Sequence, residues 1–207
     1  MCAELMIKAV LTDLDGVIRR WDPGIVQQAE IAAGLPPDAL LNTAFEPDLL
    51  LRATTGRITD ESWRSEVAER LRLEYPAADA EKAVRLWSLS PGEVDTDVLA
   101  LLQRCRDSAS LALITNATTR LDSDLKRLGI GQAFDHVVNS SAVGHVKPHP
   151  GISNAALDLL SIEADEAFFI DDRSENLNAV AELGMDGHHY TTIERLKRAL
   201  KYHGLPF

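Results

Sequence analysis

The chain has 207 residues, 45% of them hydrophobic and 26% charged, which is enough for one buried core and allows a domain with a small insert. Its formal net charge is −11, and it has no cluster of Lys and Arg, so we expect no nucleic-acid partner. Its two cysteines, Cys2 and Cys105, are too few for a disulfide framework or a cysteine-rich metal site.

The N-terminal apolar run is interrupted by Lys8 and Asp13. It is too short for the core of a signal peptide or for a membrane span, and no other stretch is long enough to span a bilayer. We therefore expect a cytoplasmic protein with no membrane partner.

The first predicted element is a buried strand over residues 8–12, because residues 9–11 form a continuous apolar run of the kind found in parallel sheets. Asp13 and Asp15 follow it, and Gly16 permits a sharp turn. Two carboxylates at one strand end repel each other and resist the loss of water, so stability does not explain them. We interpret this pair as the centre of a catalytic site.

A helical region is predicted next. Residues 24–90 show helical periodicity without a convincing strand, and residues 19–23 before them are expected to form an exposed loop. Asp60 is predicted to cap the N-terminus of one helix. Helical inserts of this size are usually separate small bundles, so residues 17–91 are expected to be an all-helical cap domain.

After the Pro91–Gly92 punctuation, strands and helices alternate. This alternation is typical of an α/β fold with a doubly wound, parallel, Rossmann-like sheet, here formed by residues 1–16 and 92–207. The predicted later strands are residues 111–114, 136–138, 167–170 and 188–191.

Polar residues follow three of the predicted strands: Asp13 and Asp15, Thr115 and Asn116, and Asp171 and Asp172. The carboxyl ends of parallel strands meet at one edge of a sheet, where such folds bind ligands. Lys147, in a loop, is expected to join them.

Four carboxylates with one lysine leave a formal excess of three negative charges. A set of oxygen ligands selects Mg²⁺ rather than zinc, so the sequence predicts a Mg²⁺ site. The ion would neutralise most of the excess negative charge, which would otherwise repel an anionic phosphate ester.

These segments resemble the four motifs of the haloacid dehalogenase (HAD) superfamily, in the family's order: residues 13–18, 115–116, 147–148 and 171–172. The helical insert resembles the C1-type cap of that superfamily. Residues 170–176 also resemble the sugar-phosphate phosphatase branch and the N-terminal phosphatase domain of soluble epoxide hydrolases. The resemblance covers essentially the whole chain.

The resemblance implies a role for each catalytic or phosphate-binding residue. Asp13 is the nucleophile, which forms an aspartyl-phosphate, and Asp15 is the general acid and base. Thr115 and Asn116, with nearby backbone N–H groups, bind the phosphoryl oxygens. Lys147 stabilises charge on the nucleophile and the phosphate.

The resemblance also implies four Mg²⁺ contacts: Asp13, Asp15, Asp171 and Asp172. Asp15 must carry a proton, so its backbone carbonyl is expected to be the ligand and its side chain is not. Asp172 is expected to bind the ion directly. Asp171 is expected to be an outer ligand or to orient Lys147.

The resulting prediction is a Mg²⁺-dependent phosphatase acting on a small phosphorylated metabolite, with a sugar phosphate as one option, as a monomer or homodimer. A phosphomutase of the β-phosphoglucomutase type shares every motif. A 2-haloacid dehalogenase needs no Mg²⁺ and generally lacks an acid two residues after the nucleophile, so Asp15 argues against it. A phospho-accepting signalling or binding protein uses similar residues, but in another order and without a helical cap.

Five further aromatic and basic positions are considered for contact with a substrate. Trp21 is a candidate for the substrate entrance. Arg52 and Arg57 could contact a polar substrate or form a solvated helix end. Trp63 and Trp87 are expected in the core of the helical region rather than as substrate platforms.

Overall fold

The computed structural model describes residues 6–207; Cys2 and the first five residues of the predicted core domain lie outside the described part. Its main sheet has five parallel strands in the order β5-β4-β1-β6-β7, and β2 and β3 form a separate antiparallel pair. The strands are β1 (Ala9–Thr12), β2 (Arg19–Arg20), β3 (Glu93–Val94), β4 (Ser110–Thr115), β5 (His136–Asn139), β6 (Ala167–Asp171) and β7 (Asp186–His189).

Five helices lie between β2 and β3, and six follow β3. The first group is α1 (Pro23–Ala33), α2 (Ala39–Ala44), α3 (Pro47–Thr54), α4 (Asp60–Glu74) and α5 (Ala80–Trp87). The second group is α6 (Thr96–Arg104), α7 (Leu121–Arg127), α8 (Ser140–Val143), α9 (Pro150–Leu160), α10 (Ser174–Glu182) and α11 (Ile193–Tyr202). Within residues 6–207, no helix is long and apolar enough to cross a membrane.

The sheet is covered on both faces, as the alternation of strands and helices predicts. Successive residues of a strand point to opposite faces, so Val10 and Phe168 pack in one apolar cluster and Leu11 and Phe169 in another. All four residues are almost completely buried. The prediction of a parallel, doubly wound, Rossmann-like sheet is confirmed.

The helices α1 to α5 share an apolar cluster of their own, whose fully buried members all lie between residues 29 and 84. The first of them begins with Pro23 after Asp22, whose side chain accepts a hydrogen bond from the Gly24 backbone N–H at 2.8 Å. It ends at Gly34, whose φ of 75° is a left-handed conformation that glycine adopts without strain. The helical region is therefore stabilised by contacts among its own helices.

The N-terminus of α4 differs from the prediction. Thr59, not Asp60, is the N-cap residue, because its hydroxyl accepts a hydrogen bond from the Ser62 N–H at 3.1 Å. Asp60 is the first residue of the helix and its carboxylate is free to contact residues elsewhere in the chain.

The expectation of an exposed loop at residues 19–23 is wrong at its start. Arg19 and Arg20 form β2, which pairs with Val94 and Glu93 of β3. The Arg19 side chain is only 5% exposed. The two preceding residues, 17–18, are fully buried in the apolar cluster that also contains Val10 and Phe168.

Candidate active site

The three strands that carry the predicted polar residues are neighbours in the order β4-β1-β6. Asp13 follows β1, Thr115 ends β4 and Asp171 ends β6, and these residues are 6%, 1% and 0% exposed. Their parallel direction places them at the same edge of the sheet. The structure therefore brings together side chains that are more than 150 residues apart in sequence.

Lys147 lies between α8 and α9, and its ammonium group joins two of these carboxylates. Its Nζ is 2.8 Å from Asp13 Oδ1 and 2.7 Å from Asp171 Oδ2. The Asn116 side chain holds the backbone of Lys147, since its amide donates to the Lys147 carbonyl at 2.9 Å and its Oδ1 accepts from the Lys147 N–H at 2.7 Å. Substrate binding by Asn116 stays a prediction, and its observed contacts position the lysine.

Burial acts against the negative charge of this cluster. Burial raises the pKa of Asp13 from 3.8 to about 6; Lys147 opposes this shift, and the charge of Asp171 adds to it. Burial also raises the pKa of Asp172, with Asp171 as the second cause. A cation beside these two carboxylates would favour their charged forms.

The donor set at this edge suits a hard divalent cation. Asp13, Asp171 and Asp172 each offer a carboxylate oxygen, and these oxygens lie within 4.8 Å of one another. Such an all-oxygen set, provided by carboxylates, is the kind that Mg²⁺ binds. The residues present therefore fit the predicted ion.

The three carboxylates are not equally free to take part. Asp171 Oδ2 bonds to Lys147, and its Oδ1 accepts from the Arg173 N–H at 2.8 Å and from Asn176 Nδ2 at 2.9 Å. Both of its oxygens therefore already have donors. Asp172 is exposed, so its oxygens are more accessible to an ion.

Gly16 allows the turn after β1 to approach Asp172 closely. A Cβ atom at this position would lie 2.2 Å from Asp172 Oδ2, and φ is 79°, in the left-handed region. Both facts require glycine. The turn thus brings the backbone that follows Asp15 against the outer carboxylate of the cluster.

Asp15 points into a separate network that the sequence analysis missed. Arg19 Nε and Nη2 donate to Asp15 Oδ1 and Oδ2 at 2.7 and 2.8 Å, and Trp21 Nε1 donates to Oδ1 at 2.8 Å. The guanidinium of Arg19 also lies over the Trp21 ring, 4.5 Å from its centroid. Residues 15–19 form a turn rather than a helix, so their spacing of four gave no helical signal for this pair.

A cavity of about 380 Å³ lies between the helical region and this edge of the sheet, with Asp15 in its wall. Trp21 lines it and is 47% exposed. Trp63 is buried in the cluster of the helical region as predicted, yet it and Trp87 also line the cavity. Arg52 lies outside this lining and pairs with Glu66 at 3.2 Å.

Polar contacts hold the helical region against the sheet region. Asp60 Oδ1 accepts a hydrogen bond from Thr118 Oγ1 at 2.7 Å, and the Asp60 N–H donates to Thr119 Oγ1 at 2.9 Å. Ser140 Oγ donates to the Thr54 carbonyl at 2.6 Å. No local sequence pattern indicated these pairs, because their partners are 58 to 86 residues apart.

Comparison with known proteins agrees with this architecture. Residues 7–184 match the model of the haloacid dehalogenase-like hydrolases. Bifunctional epoxide hydrolase 2 of Sus scrofa is 30% identical over 203 residues, covering 87% of this chain but 36% of its own length. This chain thus spans about a third of that relative.

Two proteins of Bacteroides thetaiotaomicron match over nearly their whole length. D-ribitol-5-phosphate phosphatase is 25% identical, with 87% of this chain and 90% of the relative covered. The structure of a HAD family enzyme in complex with magnesium and inorganic phosphate aligns with a TM-score of 0.74 at 22% identity, covering 89% of this chain and 94% of that one. At this identity the second match shows a common fold.

Proposed function

The chain belongs to the haloacid dehalogenase-like hydrolases, and from this premise we propose that it is a Mg²⁺-dependent phosphatase that hydrolyses a small phosphomonoester through an aspartyl-phosphate. The observation that carries the proposal is the buried Asp13 paired with Lys147, with a second acid, Asp15, two residues away at the wall of a cavity. A nucleophile, a cation and an acid beside a cavity are the parts that phosphoryl transfer needs.

The relatives support this choice of reaction. One is a phosphatase for D-ribitol 5-phosphate, and the solved enzyme of the same organism holds magnesium and inorganic phosphate. Asp15 favours a phosphatase over a dehalogenase, because release of a halide needs no proton donor two residues after the nucleophile.

The reaction would proceed in two steps. Asp13 attacks the phosphorus atom, the bond between phosphorus and the ester oxygen breaks, and Asp15 gives a proton to the departing alcohol. Asp15 then takes a proton from a water molecule that attacks the phosphoryl group and releases Asp13. In the structure the Asp15 carboxylate accepts three hydrogen bonds, so proton donation requires that one of them be exchanged for the leaving oxygen.

The other residues at the edge would hold charge in place. Lys147 neutralises the nucleophile and the transferred phosphoryl group, and Asn116 and Asp171 keep it there. Thr115, which is buried at the end of β4, would contact phosphoryl oxygens.

Asp13 and Asp172 would hold the Mg²⁺ ion, and the Asp15 backbone carbonyl would be a third ligand. Asp171 would be an outer ligand. Bound there, the ion neutralises negative charge on the phosphate and on the carboxylates.

The helical region would act as a cap over a small phosphorylated metabolite. We assign residues 17–91 to the cap and residues 1–16 and 92–207 to the core, with Val17 and Ile18 as anchors of the cap in the core cluster. The contacts of Asp60 and Ser140 hold the two parts together around the cavity, which excludes water from the reacting groups.

The test is hydrolysis of an aryl phosphate by the chain and its Asp13→Asn variant, with Mg²⁺ and after chelation. We expect Asp13→Asn to lower kcat about a thousandfold or more, because it removes the nucleophile, and chelation to stop turnover until Mg²⁺ is returned. Asp15→Asn should lower kcat by about 10²- to 10⁴-fold. The exposed Asp122→Asn is the control.

Turnover by Asp13→Asn within tenfold of the parent chain would refute the mechanism. Metal-independent release of chloride from a 2-chloroacid would favour a dehalogenase instead.

A further inference from the structure

The cavity beside Asp15 is the space into which the alcohol part of a substrate extends. The proposed mechanism places the ester oxygen at Asp15, so the group attached to that oxygen lies on the cavity side. A volume of about 380 Å³ is within the range of small-molecule sites. The chemistry of its lining therefore bears on the chemistry of the substrate.

The wall contributed by the helical region is mainly hydrocarbon. Its apolar members are Ile25, Val26, Leu41, Phe45, Leu50, Trp63 and Trp87. Phe45 is 51% exposed, and Trp21, which also lines the cavity, is 47% exposed. Large apolar side chains exposed together around one cavity would lose water favourably against an apolar ligand.

The polar groups around Asp15 are either bonded to one another or shielded from a ligand. The Asp15 carboxylate receives two hydrogen bonds from Arg19 and one from Trp21. Arg19 Nη1 is buried without a hydrogen bond, 3.8 Å from Asp124 Oδ2, and has no surface with which to meet a ligand.

The other two arginines of the lining, Arg64 and Arg120, are paired with protein groups, and one oxygen of the exposed Asp22 accepts from the Gly24 N–H. Arg64 donates to Asp60 Oδ2 at 2.7 Å and to Ser88 Oγ at 2.5 Å. Arg120 donates to Asp124 Oδ1 and to the Ser88 carbonyl, both at 2.9 Å. A ligand with many hydroxyl groups would leave water here without gaining equivalent partners.

The lining also lacks a surplus of positive charge. Its charged members are three arginines and four aspartates, which leaves a formal charge of −1: Arg19, Arg64, Arg120, Asp15, Asp22, Asp60 and Asp124. A second anionic group on the substrate, such as a carboxylate or another phosphate, would find no unpaired cation in this set.

We infer that the substrate's alcohol is a compact, uncharged, apolar or aromatic group rather than a sugar or polyol, which deepens the proposed phosphatase function and rests on it. Phe45 and Trp21 are the side chains that contact this group and select it. The phosphate remains at Asp13 and Lys147, and the hydrocarbon fills the cavity.

The test compares two esters of similar size whose leaving groups are both primary alcohols: benzyl phosphate and erythritol 4-phosphate. Acetyl phosphate, which has no group long enough to fill the cavity, measures the reaction at Asp13. With Mg²⁺ present we expect kcat/KM to be about tenfold or more higher for benzyl phosphate than for erythritol 4-phosphate. In a series of alkyl phosphates, the gain should end before dodecyl phosphate, because the cavity is small.

The Phe45→Gln variant tests whether Phe45 contacts the alcohol part of the substrate. It should lower the ratio of kcat/KM for benzyl phosphate to that for acetyl phosphate about fivefold, since the ligand then meets a polar side chain. Leu159→Gln is the matched control, because Leu159 is also 51% exposed but lies on α9, outside the lining, and its activity should not change.

The possible failures are distinguishable. Hydrolysis of acetyl phosphate together with an equal or higher kcat/KM for erythritol 4-phosphate would overturn this inference alone. So would an unaltered ratio in Phe45→Gln, or rates that keep rising to dodecyl phosphate. No hydrolysis of any of these phosphates would overturn the proposed function and this inference with it.

Discussion

The edge of the sheet and the cavity beside it meet at Asp15, but they differ in burial, in charge and in the amount of exposed apolar surface. At the edge, Asp13, Lys147 and Asp171 are buried and bonded to one another. In the cavity, Phe45 and Trp21 are about half exposed, and the charged side chains are already paired. The first region holds charge that folding alone would disfavour, and the second holds apolar surface that an apolar ligand would cover.

The reacting groups and the surface that selects the substrate differ in how far the sequence predicts them. The reacting groups follow from strand ends that meet at one edge. The surface that meets the rest of the substrate is assembled from six helices, each contributing one to three side chains, and from the segments that connect them. The reaction class is therefore much easier to read from the chain than the identity of the alcohol.

Removing the lysine should have the largest effect on stability. Lys147→Met leaves Asp13 and Asp171 buried without their shared cation, and we expect the free energy of unfolding to fall by about 3–5 kcal/mol at pH 7. Urea unfolding measures the change. The exposed Lys126→Met on α7 is the control and should stay within about 0.5 kcal/mol. A similar, small change in both variants would mean that the charges at the edge are not balanced by Lys147.

Neutralising Asp13 should have a smaller effect of opposite sign. Its pKa in the folded chain, about 6, lies above the ordinary 3.8, so ionisation on raising the pH from about 4 to about 6 costs stability that is not recovered above pH 6. The metal-free Asp13→Asn variant should therefore be more stable than the parent chain at pH 7, by about 1–3 kcal/mol, and no more stable below pH 4.

Thermal unfolding in the presence of a chelator, from pH 4 to pH 8, measures this difference, with the exposed Asp122→Asn as control. Added Mg²⁺ should reduce the advantage, because the ion stabilises the parent chain more. A variant that is less stable than the parent at pH 7 without metal would contradict the assignment of burial as the dominant influence on Asp13.

A change of similar size to that of Asp13→Asn is expected at the contact between the two regions. Asp60→Ala removes the acceptor for Thr118 and for Arg64 and should lower the free energy of unfolding by about 1–3 kcal/mol. Glu61→Ala, in the same helical turn but exposed, should cost less than about 0.5 kcal/mol. Because both residues lie near the N-terminus of α4, the comparison cancels the effect of the helix dipole. Equal losses would show that the contact with Thr118 contributes nothing.

Four of the five strands of the main sheet could be predicted because each contains a short apolar run with its own local signal. The last strand, β7, is the polar segment Asp186–His189, and the strand predicted at residues 188–191 lies two residues too late. Residues 9–12 are all buried, and the polar residues that follow them mark where the strand ends. The meeting of Asp13 with Lys147 followed from the geometry of parallel strands and from the order of motifs. Residues 24–90 were predicted to be helical as a region, without separate bounds for helix α3 at Pro47–Thr54.

What could not be predicted depends on pairs that are distant in sequence. Strand β2 has two residues and forms only because β3, more than 70 residues later, pairs with it. For the same reason Arg19 was expected to be exposed, although it is buried against Asp15. Asp60 was assigned to a cap because its contact with Thr118 lies outside any local pattern.

The pairing of β2 with β3 has a mechanical consequence. These two strands are the incoming and outgoing connections of the helical region, and they are joined by pairing of Arg19 with Val94 and of Arg20 with Glu93. The pairing couples the two connections, so that one cannot be displaced without the other. Since the Arg19 side chain also bonds to the Asp15 carboxylate, a displacement of this strand pair would alter the position of that carboxylate.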